Sequence, residues 1–236
     1  MPTLRHRYQT YEFDQLDVHV RTLRDRQQFE HSPGDDAIPG LSPANWPLFG
    51  VVWDSGLALA HIAHEFDVEN LRILEVGCGI GLASLVLSSR NANITATDHH
   101  PLAEPFLNYN SDLNGLKRIC FVRADWSRNN GSLGQFDLVI GSDLLYETRS
   151  DTYLSEFIDS CARPTSQVII VDPGRELAGK FSARMSRCGF KRVSAASCAR
   201  LPRNSPVANV MQFSRSRVPG KQGRPRGTGA SAQSGA

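Results

Sequence analysis

One short segment constrains the fold of this chain more than any other: a buried strand that leads directly into a glycine-rich turn and then a helix. Residues 71–76 are mostly apolar or β-branched, and the run Gly77-Cys78-Gly79-Ile80-Gly81 follows them. Glycines in such a turn allow a sharp bend and a close approach to a ligand. Leu82, Leu85 and Val86 then fall on one face of a helix. The segment therefore predicts the entrance of a nucleotide-type pocket in an α/β sheet.

Alternating strand and helix patterns continue after this turn. Strands are predicted at 93–97, 119–122, 136–140 and 168–171, and an antiparallel pair is predicted at 189–195 and 207–213. The predicted helices include one over 175–187 and one that starts near Pro101, with an apolar stripe of Leu102, Phe106, Tyr109 and Leu113. Such alternation is typical of a parallel sheet with helices on both faces.

The two ends of the chain differ from this central alternation. Residues 8–23 alternate apolar and polar side chains and predict a strand hairpin with one covered face. Prolines and glycines predict a loop over 32–47. Residues 214–236 carry basic but no acidic side chains and are rich in Gly, Ser and Pro, which predicts a disordered basic tail. We therefore expect an N-terminal cap of strand pair and loop over 1–47, a core over 48–213 and a tail over 214–236.

Polar side chains follow further strands of the predicted sheet, at the point where each strand ends. They are Asp98, the pair Asp125-Trp126 and the pair Ser142-Asp143. Because ligands of open α/β sheets lie outside the carboxyl ends of the strands, we expect these residues to line one pocket together with the glycine turn. A carboxylate at 98 can accept hydrogen bonds from two ribose hydroxyls. The indole of Trp126 offers a flat surface to a base, and Asp125 can accept from the exocyclic amine of that base.

Three segments resemble the class I, seven-β-strand methyltransferases that use S-adenosylmethionine. They are Glu75-Val76-Gly77-Cys78-Gly79-Ile80-Gly81, Val52-Trp53-Asp54-Ser55-Gly56, and the stretch from Phe136 to Tyr146. The last contains Asp143-Leu144-Leu145-Tyr146, which is similar to the D-x-x-Y motif of the protein-lysine methyltransferase group. The resemblance implies a Rossmann-like, seven-stranded, mostly parallel sheet with helices on both faces and a small N-terminal strand cap.

The resemblance also implies which residues form the site. The residues expected to bind S-adenosylmethionine are Trp53, Glu75, Gly77, Cys78, Gly79, Asp98, Asp125, Trp126 and Ser142. Asp143 and Tyr146 are the expected catalytic residues. The carboxylate would orient a substrate amine and stabilise the positive charge that develops on nitrogen, while the tyrosine ring would close the channel. Asp143 could instead, or in addition, cap a helix, and Trp53, Trp126 and Tyr146 could be packing residues.

We therefore expect an S-adenosylmethionine-dependent methyltransferase that modifies a protein lysine. Three alternatives remain: a methyltransferase for another nucleophile, such as a protein histidine or a small-molecule amine; a non-catalytic S-adenosylmethionine-binding module; and an NAD-dependent oxidoreductase. The dinucleotide fingerprint requires Gly or Ala where this chain has Leu82. The segment from Asp143 to Tyr146 lacks the prolines typical of enzymes that methylate base amino groups, so no specific nucleic acid is expected as a partner.

Two further segments near strand ends have two interpretations each. His99-His100 could act as a general base or a metal site, but we expect a loop pair that begins the next helix. Asp172-Pro173-Gly174-Arg175 either lines the substrate entrance or forms only a strand-to-helix turn.

Composition limits the setting in which the chain works. No apolar run is long enough to span a membrane, and no secretory signal is seen. The five cysteines have no C-x-x-C spacing, which favours a reducing compartment and argues against a zinc site. We expect a cytoplasmic, monomeric protein that binds no metal and acts on a protein substrate.

Overall fold

The structure is a computed structural model that describes residues 4–24, 48–128, 133–193 and 209–216. In chain order, its elements are β1 (His6–Phe13), β2 (Leu16–Leu23), α1 (Asp54–Glu65), β3 (Arg72–Val76), α2 (Leu82–Ser89), β4 (Asn93–Asp98), α3 (Ala103–Leu113), β5 (Cys120–Arg123), β6 (Phe136–Ser142), α4 (Ser150–Cys161), β7 (Ala162–Asp172), α5 (Leu177–Arg187), β8 (Lys191–Val193) and β9 (Asn209–Ser216). The predicted loop over 32–47 lies outside the described residues.

Seven of the strands form one sheet in the order β5-β4-β3-β6-β7-β9-β8. The pairs β4–β5, β3–β4, β3–β6 and β6–β7 are parallel, whereas β9 is antiparallel to both of its neighbours. The predicted seven-stranded, mostly parallel sheet is confirmed, and so is the antiparallel pair at its end.

Alternate residues of the central strands pack on the two faces of this sheet. Ile73 of β3, with Leu138 and Ile140 of β6, packs in one hydrophobic cluster with α1, α2 and α3. Leu74 of β3 and Val139 of β6 pack in a second cluster with α4 and α5. Because both faces are covered, the central strands read as continuous apolar runs.

The predicted N-terminal hairpin is also present. β1 and β2 pair antiparallel from His6 opposite Leu23 to Phe13 opposite Leu16. Val18, Val20 and Leu23 are buried in the same cluster as α1, α2 and α3. The hairpin therefore covers the first face of the core and shares its hydrophobic interior.

The boundary predicted for the basic tail is wrong by three residues. β9 continues to Ser216, and Arg215 is only 5% exposed. Its guanidinium pairs with Asp159 of α4 and donates to the carbonyl of Ala162 at 2.7 Å. Arg215 was predicted from composition to lie in the tail, because a basic residue in a polar segment does not indicate strand pairing. Residues 217–236 lie outside the described ranges.

The start and the buried face of α3 also differ from the prediction. The helix begins at Ala103, so Pro101 lies in the turn that precedes it. Phe106 and Leu107 are buried, but Tyr109 and Leu113 are each 37% exposed. The stripe is rotated because β2 packs on this helix and selects the face that carries Asn110. Within the described ranges, no helix combines the length and the apolar character needed to cross a membrane.

Candidate functional site

A cavity of about 400 Å³ lies at the carboxyl ends of β3, β4, β5 and β6. Every residue that the sequence predicted for the site lines this cavity: Trp53, Glu75, Gly77, Cys78, Gly79, Asp98, Asp125, Trp126, Ser142, Asp143 and Tyr146. The parallel order of the four strands brings their ends together, as the position of ligands in open α/β sheets requires.

The glycine turn after β3 forms one wall. Gly77, Gly79 and Gly81 have φ of +62°, +56° and +81°, in the left-handed region that side chains other than glycine rarely adopt. A Cβ atom on Gly77 would lie 2.4 Å from Leu144 Cδ2, whereas a Cβ on Gly79 would meet nothing within 4 Å. Leu144 therefore occupies the space where a side chain at residue 77 would lie. Among the three glycines of the turn, only Gly79 faces open space.

Asp98 ties the glycine turn to the end of β4. Its Oδ2 accepts a hydrogen bond from the Gly79 N–H at 2.8 Å, and its Oδ1 accepts one from the His100 N–H at 2.8 Å. A carboxylate oxygen can accept about two hydrogen bonds. Asp98 is thus held in one orientation at the cavity wall, with acceptor capacity left on both oxygens.

Trp126 and Asp125 follow the end of β5 and line the cavity beside this wall. The Trp126 ring lies 3.5 Å from the Cβ position of Gly77, so the indole packs beside the glycine turn. Asp125 Oδ1 accepts hydrogen bonds from the Ser127 N–H and hydroxyl, and its Oδ2 lies 3.1 Å from Arg128 Nε. Burial alone would raise the pKa of Asp125, but these hydrogen bonds and the arginine charge lower it overall. An ionised acceptor therefore stands beside the indole, already in contact with an arginine.

Glu75 forms the floor of the cavity and is 4% exposed. Its Oε2 accepts hydrogen bonds from the backbone N–H of Ser84, at 2.9 Å, and from the Ser84 hydroxyl. Burial raises the pKa of Glu75 to about 7, because the loss of hydration outweighs the two hydrogen bonds. This carboxyl group thus anchors the first turn of α2 beneath the glycine turn.

The beginning of α1 closes the opposite side of the cavity. Trp53, the residue before the helix, donates a hydrogen bond from its indole Nε1 to the Leu48 carbonyl at 3.2 Å. A Cβ on Gly56 would lie 3.5 Å from Ser142 Oγ. The first turn of α1 therefore lies against the end of β6, at a distance that would still admit a methyl group on residue 56.

Asp143 and Tyr146 lie in the loop between β6 and α4. Asp143 has a φ of +57°, and its N–H donates to the Val171 carbonyl at 3.0 Å. α4 begins only at Ser150, so the alternative that Asp143 caps this helix is wrong. Tyr146 is 39% exposed. Burial of its hydroxyl, followed by the charges of Glu147 and Asp98, raises the pKa of Tyr146, so the phenol stays protonated.

Two features of the cavity were not assigned from the sequence. Arg175 lines the cavity and pairs with Asp143, with 3.0 Å between Nη1 and Oδ1, so its segment is more than a strand-to-helix turn. His100 is buried and stacks on Phe49 with 4.0 Å between ring centres and 3° between ring planes. Burial lowers the pKa of His100 to about 3, so the imidazole is neutral and packs as an aromatic ring. The predicted loop pair is present, but it ends before the first helical residue, Ala103.

Comparisons with known proteins agree with this geometry. A family model described as "Lysine methyltransferase" matches residues 47–186, more than half of the chain. Protein N-lysine methyltransferase METTL21A of Danio rerio is 31% identical over 113 residues, covering 43% of this chain and 51% of that protein. EEF1A lysine methyltransferase 3 of Xenopus tropicalis is 28% identical over 116 residues, covering 47% and 50%. The chain thus spans about half the length of these relatives.

Solved structures share the fold at lower identity. The ribosomal protein L11 methylase of Lactobacillus delbrueckii subsp. bulgaricus superposes with a TM-score of 0.52 at 21% identity, over 67% of this chain and 77% of that chain. The 16S rRNA N2 G1207 methyltransferase RsmC of T. thermophilus, solved in complex with AdoMet and guanosine, superposes with a TM-score of 0.56 at 14% identity, over 92% and 52%. At these identities the similarity establishes the fold.

Proposed function

The chain belongs to the lysine methyltransferase family, and from this premise we propose that it transfers a methyl group from S-adenosylmethionine to a lysine side chain of a protein. The observation that carries the proposal is the meeting of four strand ends around one cavity, with the predicted acids, glycines and indoles on its walls. The lysine methyltransferases named above support the choice of a protein lysine as acceptor.

The residues present fit an adenosyl ligand. Asp98 has acceptor capacity for ribose hydroxyls beside the open face of Gly79. Trp126 presents a flat ring for the base, and Asp125 lies next to it. Trp53, Glu75, Cys78 and Ser142 line the same cavity, and we assign them to the methionine portion. Gly77 contributes by allowing Leu144 to pack under the turn.

Bound S-adenosylmethionine would supply a methyl group on a positively charged sulfur. The lone pair of a lysine nitrogen would form the new N–C bond, the sulfur would keep the electrons of the broken C–S bond, and the nitrogen would release one proton. The chain's own residues prepare the acceptor for this displacement. The Asp143 carboxylate orients the amine and stabilises positive charge on nitrogen. The Tyr146 ring narrows the opening, excludes water and limits the approach of the amine to one direction.

Transfer of radiolabelled methyl groups tests this function. Purified protein is incubated with methyl-labelled S-adenosylmethionine and a cell lysate, and the labelled bands are analysed by mass spectrometry. We expect label on a lysine of a discrete protein. Label on histidine or on a small-molecule amine, or binding of S-adenosylmethionine with no transfer in any lysate, would contradict the proposal.

A variant of Asp143 tests its role in the same assay. Asp143→Asn should bind S-adenosylmethionine as tightly as the wild type, but transfer should slow by about 100-fold or more because the charge that stabilises the nitrogen is lost. Asp112→Asn is a matched control, because this aspartate is exposed and pairs with Arg118 on the surface. Wild-type turnover by Asp143→Asn would refute the catalytic assignment.

The expected setting is part of the same proposal. The described cysteines, Cys78, Cys120, Cys161 and Cys188, are free thiols, which supports a reducing, cytoplasmic environment. A monomer that acts on a protein substrate, and a core that begins at residue 48 and is capped by the N-terminal segment, remain predictions that accompany the proposed activity.

A further inference from the structure

A cluster of one cation and two carboxylates lies at the cavity wall: Arg175 and Asp143 line the cavity, and Asp172 is fully buried. The mechanism above uses only Asp143. Arg175 Nη1 lies 3.0 Å from Asp143 Oδ1 and 3.3 Å from Asp172 Oδ2. Asp172 is 0% exposed, whereas one third of the Arg175 side chain is accessible. The guanidinium thus joins a buried carboxylate to the carboxylate that faces the predicted amine position.

The arginine is held in place at both its backbone and its side chain. Asp172 Oδ1 accepts hydrogen bonds from the N–H groups of Gly174, at 2.8 Å, and of Arg175, at 2.7 Å. Asp172 is the last residue of β7, so this turn is fixed to the sheet. Asp143 is fixed from the same strand, because its N–H donates to the Val171 carbonyl. The ion pair therefore forms between two anchored segments.

The surroundings of the second oxygen of Asp143 make this carboxylate more dependent on its ion pair with Arg175. Oδ2 is buried and accepts no hydrogen bond from any described residue. A buried carboxylate without enough partners favours its neutral form. The ionised form thus depends on the cation that contacts Oδ1, together with the Ser55 hydroxyl.

Groups from three elements act on this carboxyl group. Burial raises the pKa of Asp143, and the charge of Asp172, the last residue of β7, adds to the rise. The Ser55 hydroxyl of α1 and the Arg175 guanidinium lower it, although the net direction is upward. Tyr146 and Glu147 follow on the loop of Asp143 itself and also line the cavity. Among these groups, Arg175 is the cation that favours an ionised carboxylate.

We propose that Arg175 is a positioning residue, which orients the Asp143 carboxylate and keeps it charged at the cavity mouth. The identity of the incoming group, an amine, rests on the proposed function. With Arg175 in place, the two aspartates and the arginine together leave one negative charge, which complements the positive charge that develops on the amine nitrogen. Without Arg175, the amine would meet a carboxylic acid, which stabilises that charge poorly.

The first test does not require activity. Carbon-13 NMR of labelled aspartate carboxyl groups follows the titration of Asp143 in the wild type, in Arg175→Gln and in Arg175→Lys, with Asp143→Asn used to assign the signal. We expect the pKa of Asp143 to rise by about one unit or more in Arg175→Gln, because an opposite charge at this distance lowers an aspartate pKa by about 1–3 units. Arg175→Lys should restore part of the difference.

A matched control removes an equivalent pair elsewhere. Arg163→Gln breaks the Arg163–Asp137 pair, 2.7 Å long, which lies outside the cavity. It should leave the titration of Asp143 unchanged. An Asp143 titration that is the same in Arg175→Gln as in the wild type would overturn the proposal.

Kinetics provide the second test and separate positioning from a structural role. Because transfer needs an ionised Asp143 as well as an unprotonated amine, the ratio of kcat in Arg175→Gln to kcat in the wild type should fall as the pH decreases, while the affinity for S-adenosylmethionine stays unchanged. A merely structural role would lower kcat equally at all pH values and would overturn the proposal. If the wild type transfers no methyl group to lysine, the proposed function fails, and the NMR titration still decides the role of Arg175.

Discussion

At the scale of single residues, the most unusual group is the buried carboxyl of Glu75. It lies on the floor of the cavity, and its pKa is about 7 because burial opposes its charge. The folded chain therefore retains a proton at this site that the unfolded chain releases at lower pH. Such a group makes folding less favourable as the pH rises from its ordinary value of 4.5 to about 7.

The direction of this pH dependence predicts how Glu75→Gln changes the stability of the protein. The variant has no such titration, so its free energy of unfolding relative to the wild type should increase between pH 4.5 and pH 7 and then stay constant. The full change is on the order of 3 kcal/mol, from about 1.4 kcal/mol per unit of pKa. Urea unfolding of both proteins below and above this range measures it. Equal differences at the two pH values would show that folding does not shift the pKa of Glu75.

Residues at strand ends were predictable because their place follows from chain order alone. Asp98 comes directly after one strand pattern and Trp126 a few residues after the next, and parallel strands bring such positions to one edge. The ion pair between Arg175 and Asp143 could not be predicted from chain order, since it depends on the left-handed backbone at residue 143 and on the turn after β7. The stacking of His100 on Phe49 likewise depends on a contact between distant segments.

At the scale of elements, α3 holds the N-terminal hairpin through two asparagines one turn apart. Asn110 Oδ1 accepts a hydrogen bond from the Arg21 N–H, and Asn114 Oδ1 accepts one from the His19 N–H, both at 2.8 Å. Asn114 Nδ2 also donates to the His19 carbonyl at 2.6 Å. The two amides thus occupy the edge of β2 as a further strand would, which explains why this helix face is partly polar.

The two asparagines differ in burial, and this difference is testable. Asn110 is 0% exposed, so Asn110→Ala leaves the Arg21 N–H without a partner and should cost about 1–3 kcal/mol of stability. Asn114 is half-buried and its hydrogen bonds to His19 are exposed, so water can replace them and Asn114→Ala should cost less. Urea unfolding compares the two variants. A larger loss in Asn114→Ala would contradict this account.

Apolar periodicity predicted whether a segment is a helix or a strand, but it did not predict the first and last residues of these elements or the faces that they bury. The stripe through Tyr109 and Leu113 satisfied a helical period, yet the hairpin selects the neighbouring face of α3. β7 begins at Ala162, before the apolar run that predicted it, because Ala162 pairs with β6 and residues 165 and 166 pair with β9. Both differences come from partners that lie far away in sequence.

At the scale of the whole molecule, the order of the strands determines where chemistry can occur. β3 lies at the centre of the parallel part of the sheet, between β4 and β6, and β5 lies beyond β4. The polar ends of these four strands therefore meet at one edge, where α1 and its preceding tryptophan close the cavity. The sequence does not indicate that β9 lies between β7 and β8, because either order of β8 and β9 in the sheet would satisfy the apolar patterns.

Calorimetric titration with S-adenosylmethionine and with NADH tests most directly whether this edge binds an adenosyl sulfonium. The wild type should bind S-adenosylmethionine more tightly than NADH. Asp98→Ala should weaken that binding by about 1.5–3 kcal/mol, because two charge-assisted hydrogen bonds to the ribose are lost. Asp98→Asn, which keeps an acceptor for the Gly79 N–H, shows whether the loss comes from the ribose or from a displaced glycine turn. Tighter binding of NADH, or unchanged S-adenosylmethionine affinity in Asp98→Ala, would contradict the account.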